Sequence, residues 1–144
     1  MPAALSQVDE LAPVETLTSL SETPSSALVD VRTRAEWAYV GLPDISATGR
    51  PLWTVEWMSF PAMAPDPDFV EHLLATAGGA LPERLFFICR SGVRSLAAAN
   101  AVSAAMTETG RSVWCTNVAE GFEGDLDTAR HRGSRNGWQA RGLP

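Results

Sequence analysis

Short apolar runs and longer amphipathic segments alternate along the chain. The runs at 27–32, 85–89 and 112–118 contain many β-branched and aromatic side chains, which predicts buried strands. The run at 85–89 consists of five consecutive apolar residues, as expected of a strand that is covered on both faces. The pattern thus predicts three central strands, with one more short strand near Leu52.

The segments between these strands have apolar residues three to four positions apart, which predicts helices. Several begin or end with residues that favour helix termini: a proline in the first turn, the capping-box pair Thr33 and Glu36, or a glycine after the last turn. The predicted helices are 13–20, a short helix after Thr33 that buries Trp37 and Val40, 67–77, an alanine-rich helix ending at Thr109, and a short helix at 136–141. The alanine-rich helix is expected to face the sheet with Leu96, Ala99, Val102, Ser103 and Met106.

Strands that alternate with helices predict an α/β fold, with a central parallel sheet and helices on both faces. The length of 144 residues fits a single domain over 1–144. Two segments remain loops in this prediction, the proline- and aromatic-rich stretch 41–68 and the glycine-rich stretch 120–135. Parallel sheets bind ligands beyond the carboxyl ends of their strands, and Cys89 lies at such an end.

The acidic composition narrows the classes of function. A formal net charge of −6 provides no basic face that would neutralise phosphates, so we expect no nucleic-acid partner. No apolar stretch approaches the roughly 18 residues of a membrane span, and the first residues lack the pattern of a signal peptide. These features predict a soluble cytoplasmic protein without a membrane partner, whose cysteines stay reduced.

The arginines, cysteines and histidines of the chain limit the reaction mechanisms and metal sites that are available to it. All 11 cationic residues are arginines, which excludes a lysine-based mechanism such as Schiff-base formation. The two cysteines and two histidines have no metal-ligand spacing. We therefore expect neither a metal nor a cofactor.

Cys89 ends a predicted buried strand and precedes a loop of small residues and arginines that leads into a helix. The loop amides and the helix N-terminus present unsatisfied N–H groups and partial positive charge, which favour an anion at this position. Arg90 and Arg94 add fixed positive charge. Together these features favour the thiolate form of Cys89 and predict a nucleophile that needs no histidine base.

The segment Cys89-Arg90-Ser91-Gly92-Val93-Arg94-Ser95 resembles the active-site loop of the rhodanese-like sulfurtransferases. The stretch 28–32 with Glu36 resembles the first motif of that family, and 136–144 is similar to the tail of its single-domain bacterial members. The resemblance implies a rhodanese-like fold and thiosulfate sulfurtransferase activity. Cys89 would be the catalytic residue and carry sulfane sulfur as a persulfide, while the loop from Arg90 to Ser95 binds the anionic donor and the persulfide. A small anionic sulfur donor would load Cys89, and cyanide, a thiol or a protein acceptor would remove the sulfur.

Two other classes of function fit the same residues. One is a thiol-based phosphatase or arsenate reductase on the same fold, and the other is a module that carries a persulfide or binds anions without turnover. Thiol phosphatases place five residues between the nucleophile and the arginine, whereas four separate Cys89 from Arg94. The tighter loop suits a single sulfur atom better than a phosphoryl group, which favours the sulfurtransferase.

Charged residues near the first motif are expected to support the loop. Asp30 and Arg32 stand at the end of a buried strand, where a structural ion pair or hydrogen bond is the favoured role over contact with substrate. Glu36 is expected to cap a helix or to bind an arginine.

The remaining aromatic, cysteine and histidine residues are less specific signals. Trp53, Trp57 and Phe60 are candidates for the pocket wall, with core packing as the equally weighted alternative. Cys115 is expected in the core rather than as a second redox cysteine. His131 is expected in a solvated loop, with the steering of an anionic donor as the alternative.

Overall fold

Strands and helices alternate in the computed structural model, which describes residues 8–59, 64–125 and 136–144. The strands of these residues are β1 (Asp9–Leu11), β2 (Ser26–Asp30), β3 (Leu52–Thr54), β4 (Met58–Ser59), β5 (Ala64–Pro65), β6 (Arg84–Ile88) and β7 (Trp114–Val118). The helices are α1 (Pro13–Glu22), α2 (Arg34–Tyr39), α3 (Phe69–Thr76) and α4 (Val93–Glu108), with a 3-10 helix at Ser46–Thr48.

Five of these strands form one parallel sheet in the order β1-β7-β6-β2-β3. Strands β4 and β5 form a separate antiparallel pair. The sheet and its helices confirm the α/β fold that the sequence predicts. No helix within the described residues combines the length and the apolar character needed to cross a membrane.

Side chains of β2 and β6 alternate between the two faces of the sheet, as the pleat of a strand requires. Every residue of both strands is buried. Helices α3 and α4 cover one face, and helix α1 with the C-terminal turns covers the other, as predicted. The first cluster is built around Val29, Phe87, Phe69 and Val102, and the second around Leu28, Phe86, Leu20 and Trp138.

The sheet register brings the carboxyl ends of β2 and β6 side by side. Asp30 pairs with Ile88, and the N–H of Val31 donates to the carbonyl oxygen of Ile88 over 3.0 Å. Asp30, at the end of β2, and Cys89, directly after β6, therefore lie at the same edge of the sheet. Parallel sheets bind ligands at this edge.

The predicted helix at 136–141 is wrong, because this segment forms turns. Gly137 has a φ of 98°, a left-handed conformation that an α-helix does not contain. The N–H of Trp138 donates to the carbonyl oxygen of Gly121 over 2.8 Å, and the fully buried Trp138 side chain packs under the sheet. The turns thus combine burial of this side chain with a backbone bond to the segment beside the loop.

Two predictions of buried helical residues also fail. Leu96 is 38% exposed, because the buried stripe of α4 starts at Ser95, whose hydroxyl contacts the sulfur of Cys89. Trp37 and Val40 are only half-buried, because the short helix α2 lies at the surface and buries no residue fully. The predicted capping box of Thr33 and Glu36 is confirmed.

A fully buried ion pair joins the end of β2 to the residues that follow it. The Arg32 guanidinium donates to both carboxylate oxygens of Asp30, with the shortest contact from Nη2 to Oδ2 at 2.7 Å, and neither side chain is exposed. Nη2 also donates to the carbonyl oxygen of Gly41 over 2.7 Å. The guanidinium carbon lies 4.5 Å from the centre of the Phe122 ring. The ion pair expected from the sequence is thus present.

Asp30→Asn tests the contribution of this pair to stability. The substitution keeps the shape of the side chain but leaves the buried Arg32 charge without its counter-ion, so the free energy of unfolding should fall by about 3–5 kcal/mol. Asp66→Asn is the matched control: Asp66 contacts His72 in an exposed pair, where the loss should be about 1 kcal/mol or less. Urea denaturation at pH 7 measures both, and equal losses would contradict the account.

Candidate active site

The sulfur of Cys89 lies where strand β6 ends and the first turn of α4 begins. Gly92, with a φ of 111°, precedes the helix and donates its N–H to Cys89 Sγ over 3.1 Å. The Oγ atom of Ser95 lies 3.2 Å from the same sulfur. The first N–H groups of α4, from Val93 onward, have no acceptor within the helix. The sulfur therefore lies beside backbone donors and the positive end of the helix dipole, as the sequence predicts.

The segment 121–124 holds the outer side of the loop. Phe122 donates its N–H to the carbonyl oxygen of Cys89 over 2.8 Å, and Glu123 and Gly124 donate to the carbonyl oxygen of Arg90 over 3.0 Å each. These bonds hold both carbonyl groups against 121–124. They fix the backbone of the loop.

Gly121 permits this close approach. A Cβ atom at this position would lie 2.6 Å from the carbonyl oxygens of both Cys89 and Arg90, and the φ of 68° is left-handed. Only glycine combines that conformation with so little space. The residue thus has a backbone role in the site that the sequence did not reveal.

Arg94 is bound by Glu36 and does not point freely at the sulfur. Its Nη1 and Nη2 atoms donate to Glu36 Oε1 and Oε2 over 2.7 and 2.9 Å, a two-bond pairing that is partly buried. The pKa of Arg94 is raised, first by this hydrogen bonding and further by the negative charges of Glu36 and Asp30, while burial acts in the opposite direction. Glu36 both caps α2 and binds an arginine, so its two expected roles occur together.

Hydrogen bonding also sets the charge state of Glu36. Burial on its own would raise the pKa of this carboxyl group, but hydrogen bonds from Arg94 and Thr33 and the charge of Arg94 lower it to about 2. Glu36 is thus ionised at every pH near neutrality, and its charge neutralises that of Arg94.

A cavity of about 670 Å³ opens beside Cys89. Three segments line this cavity: α2 and Thr33 before it, the loop after β6 together with the first turn of α4, and the segment that follows β7. The lining residues are Thr33, Ala35, Glu36, Tyr39, Val40, Cys89, Arg90, Ser91, Val93, Arg94 and Glu123. Two lining residues with large hydrophobic side chains are highly exposed and form the mouth of the cavity: Tyr39 is 90% exposed and Val93 is 77% exposed.

Two of the aromatic residues predicted for the pocket wall, Trp53 and Trp57, are not part of this cavity. Trp53 and Trp57 are half-buried and pack against the core cluster of α3 and α4, where the Trp57 ring meets that of Phe69 edge to face at 5.2 Å between centroids. Their place at the mouth is taken by α2, which follows β2 and contributes Tyr39. Phe60 and His131 lie outside the described residues.

Cys115 is a core residue, as predicted. It is 1% exposed, and burial raises the pKa of its thiol to about 12, with a further contribution from the charge of Asp9. Cys115 is the register neighbour of Leu85, four residues before Cys89 along β6. That separation is about 13 Å at the rise of a strand, too far for a disulfide between the two cysteines.

Besides Gly121, sequence reasoning missed three residues whose side chains complete the site: Asn117, Glu10 and Tyr39. Asn117 is 1% exposed, and its Oδ1 atom lies 2.5 Å from Ser95 Oγ, while its Nδ2 atom donates to Glu10. Two signals were available, a polar residue within an apolar strand for Asn117 and a tyrosine after Trp37 for Tyr39. No local pattern marks Glu10, which the parallel pairing of β1 with β7 brings into place.

Glu36→Gln tests the pairing with Arg94 through its pH dependence. The folded-state pKa of about 2 lies below the ordinary value of 4.5, so the unfolded chain binds more protons between these values. The stability that Glu36 contributes is therefore complete above about pH 5 and is lost as the pH falls toward 2. The difference in unfolding free energy between the two proteins should be constant from pH 5 to 7 and shrink below. Glu71→Gln, at an exposed position on α3, is the control, and a difference independent of pH would contradict the account.

Gly121→Ala tests the backbone contact, with Gly110→Ala as its control. Both glycines have a left-handed φ, so alanine costs about 1–2 kcal/mol at either position. Only at position 121 does the new Cβ meet backbone, which should add about 1–3 kcal/mol and displace the loop. Denaturation and the rate of Cys89 alkylation measure the two effects. Alkylation should change in Gly121→Ala alone, and identical behaviour of both variants would show that the contact is unimportant.

Proteins of similar sequence and structure occur in Rickettsia and in M. tuberculosis. A scan against models of known protein families finds no match. Over 125 residues the chain is 33% identical to the uncharacterized protein RP600 homolog of Rickettsia rickettsii and 32% identical to the uncharacterized protein RC0915 of Rickettsia conorii, covering 87% of this chain and 86% of each relative. The crystal structure of Rv0390 from M. tuberculosis matches with a TM-score of 0.77 and 39% identity, over 95% of this chain and 96% of that one. The chain belongs to the family of these uncharacterized Rickettsia proteins.

Proposed function

We propose that the protein is a rhodanese-like sulfurtransferase that carries sulfane sulfur as a persulfide on Cys89. The main support for this proposal is the environment of the Cys89 sulfur. The sulfur faces a cavity, accepts a hydrogen bond from the backbone N–H of Gly92 and lies at the start of a 16-residue helix. This environment favours negative charge on sulfur, both in the thiolate that attacks and in the persulfide that results.

The first half-reaction loads the cysteine. The Cys89 thiolate attacks the outer sulfur of thiosulfate, a sulfur–sulfur bond forms, and the bond between that sulfur and the sulfonate group breaks with its electron pair leaving as sulfite. Arg90 is exposed at the cavity and supplies positive charge for the incoming anion. Because Glu36 binds Arg94, the role of that arginine is to fix the first turn of α4.

In the second half-reaction the terminal sulfur of the Cys89 persulfide is transferred to an acceptor. An acceptor thiolate attacks the terminal sulfur, a new persulfide forms on the acceptor, and the electron pair of the broken bond returns to Cys89. Tyr39, Val40 and Val93 give the cavity an apolar mouth that is far larger than cyanide requires. An organic thiol, free or on a protein, therefore fits the cavity better than cyanide.

The pairing of Arg94 argues against phosphatase chemistry. A thiol phosphatase needs a guanidinium that is free to bind phosphoryl oxygens through two bonds. Here both terminal nitrogens of Arg94 are bound to Glu36. We further propose that the protein works in the cytoplasm, where a reducing environment keeps Cys89 available.

Mass spectrometry after incubation with thiosulfate tests the proposal. The intact protein should gain one sulfur atom, Cys115→Ser should gain it equally, and Cys89→Ser should gain none. Release of the sulfur to a thiol over many turnovers would support the enzyme, whereas loading without turnover would support a carrier. Absence of any adduct, together with hydrolysis of an aryl phosphate, would falsify the sulfurtransferase proposal.

A further inference from the structure

A continuous chain of hydrogen bonds runs from the sulfur of Cys89 to the edge of the sheet. Ser95 Oγ lies 3.2 Å from Cys89 Sγ and 2.5 Å from Asn117 Oδ1. Asn117 Nδ2 donates to Glu10 Oε2 over 2.8 Å and to the carbonyl oxygen of Gly92 over 3.2 Å. Ser95 and Asn117 are buried, while Glu10 is exposed on β1.

The partners of Asn117 fix the direction of its amide group. Both groups that face Nδ2, the Glu10 carboxylate and the Gly92 carbonyl, can only accept hydrogen bonds. The nitrogen must therefore face them, and the oxygen must face Ser95. Asn117 Oδ1 can only accept, so the hydrogen in this short contact belongs to the Ser95 hydroxyl.

Ser95 has one hydroxyl hydrogen and two atoms that compete for it. The Ser95 Oγ to Asn117 Oδ1 distance of 2.5 Å is short for an O–H···O hydrogen bond, and because Oδ1 brings no hydrogen, the Ser95 hydrogen must lie between these two oxygens. The 3.2 Å distance to Cys89 Sγ is an ordinary one for the larger sulfur atom, and at this distance Oγ can accept from the thiol as well as donate to it. With its hydrogen directed to Asn117, Ser95 Oγ presents a lone pair to the sulfur. A lone pair accepts from a thiol but repels a thiolate.

We infer that Asn117 is a positioning residue that holds the Ser95 hydroxyl hydrogen away from Cys89 and so favours the protonated thiol in the resting protein. The thiolate gains the Ser95 hydrogen bond only when the hydroxyl rotates toward the sulfur and leaves Asn117 Oδ1 without its donor. Asn117 thus opposes the backbone donors and the helix dipole, which favour the anion. The inference rests on the proposed role of Cys89 as the nucleophile. It adds Asn117 to the groups that control the fraction of Cys89 in the thiolate form.

Other charged groups lie around the same site, and of those named here Glu10 alone is in contact with Asn117. The cavity side contains Arg90, Glu123 and the Glu36–Arg94 pair. The neighbouring strand end contains the Asp30–Arg32 pair, and Glu10 lies at the far end of the chain of hydrogen bonds. A substitution at Asn117 leaves all these charges in place. Two routes then connect Asn117 to the sulfur, one through the Ser95 hydroxyl and one through Gly92, whose carbonyl oxygen accepts from Asn117 and whose N–H donates to Cys89. The Ser95→Ala background separates the two routes.

A double-mutant cycle between Ser95 and Asn117 tests this coupling. Asn117→Leu keeps the branched shape and removes the acceptor, which frees the Ser95 hydrogen for the thiolate. Alkylation of Cys89 by iodoacetamide at pH 6 should become about three- to tenfold faster, a factor that corresponds to one hydrogen bond. In the Ser95→Ala background the same substitution should change the rate by less than about twofold, because the group that transmits the effect is gone.

Matched controls separate this coupling from a structural effect. Asn100→Leu, at an exposed position on α4, and Ser103→Ala, at a buried position two turns beyond Ser95, should leave the alkylation rate unchanged. Equal acceleration by Asn117→Leu in both backgrounds, or none in either, would overturn the inference. Alkylation needs no sulfur donor, so the proposed sulfurtransferase activity can fail while the coupling is observed, and the reverse.

Infrared spectroscopy tests the same inference without a substitution at Asn117. At pH 5 the S–H stretching band of Cys89, identified by its loss in Cys89→Ala, should lie at lower wavenumber in the unaltered protein than in Ser95→Ala, because a hydrogen-bonded S–H bond is weaker. An identical band position in the two proteins would show that the thiol does not donate to Ser95, and would overturn the inference.

Discussion

The three hydrogen bonds that Phe122, Glu123 and Gly124 donate to the carbonyl oxygens of Cys89 and Arg90 determine the shape of the active-site loop. With these carbonyls engaged, the loop directs the Gly92 N–H to the sulfur and leads directly into α4. The rest of the fold supports this contact. Gly121 lets the two backbones approach, and the backbone N–H of the buried Trp138 donates to the carbonyl oxygen of Gly121.

The buried Asp30–Arg32 pair supports the same segment from the neighbouring strand. The Arg32 guanidinium stacks on the Phe122 ring, and the Phe122 N–H binds the carbonyl of Cys89. A buried ion pair is weak evidence for stability in itself, since desolvation offsets much of its attraction. Here its position gives it a further consequence, because it connects the end of β2 to the residue that holds the loop.

The sequence predicted those parts of the molecule that depend on local pattern. The buried runs of β2, β6 and β7 and the helix after Cys89 follow from apolar content and spacing, and the capping box of Thr33 and Glu36 follows from two residues three positions apart. Strand β1 was missed because its sequence, Asp9-Glu10-Leu11, is polar, and it is held by backbone pairing with β7 and by contacts such as Asp9 with Thr116.

The residues of the active site also fall into two groups, those that local sequence pattern predicts and those that only the fold brings together. Cys89 and the residues to Ser95 are contiguous, so their chemistry could be predicted from composition. Asn117, Glu10 and Tyr39 reach the site only through the order of the strands and the placement of α2, which apolar spacing does not encode. Arg94 shows the limit of composition most clearly: an arginine near a cysteine suggested a free positive charge, but Glu36 from another helix binds it.

The central claim is that Cys89 receives and holds a sulfur atom within its loop. A crystal structure of the protein soaked in thiosulfate tests it most directly. The account predicts one additional sulfur atom at roughly 2.05 Å from Cys89 Sγ, the length of a sulfur–sulfur bond, inside the cavity between α2 and α4. An unmodified Cys89 with thiosulfate bound elsewhere, or a sulfur atom on Cys115, would contradict it.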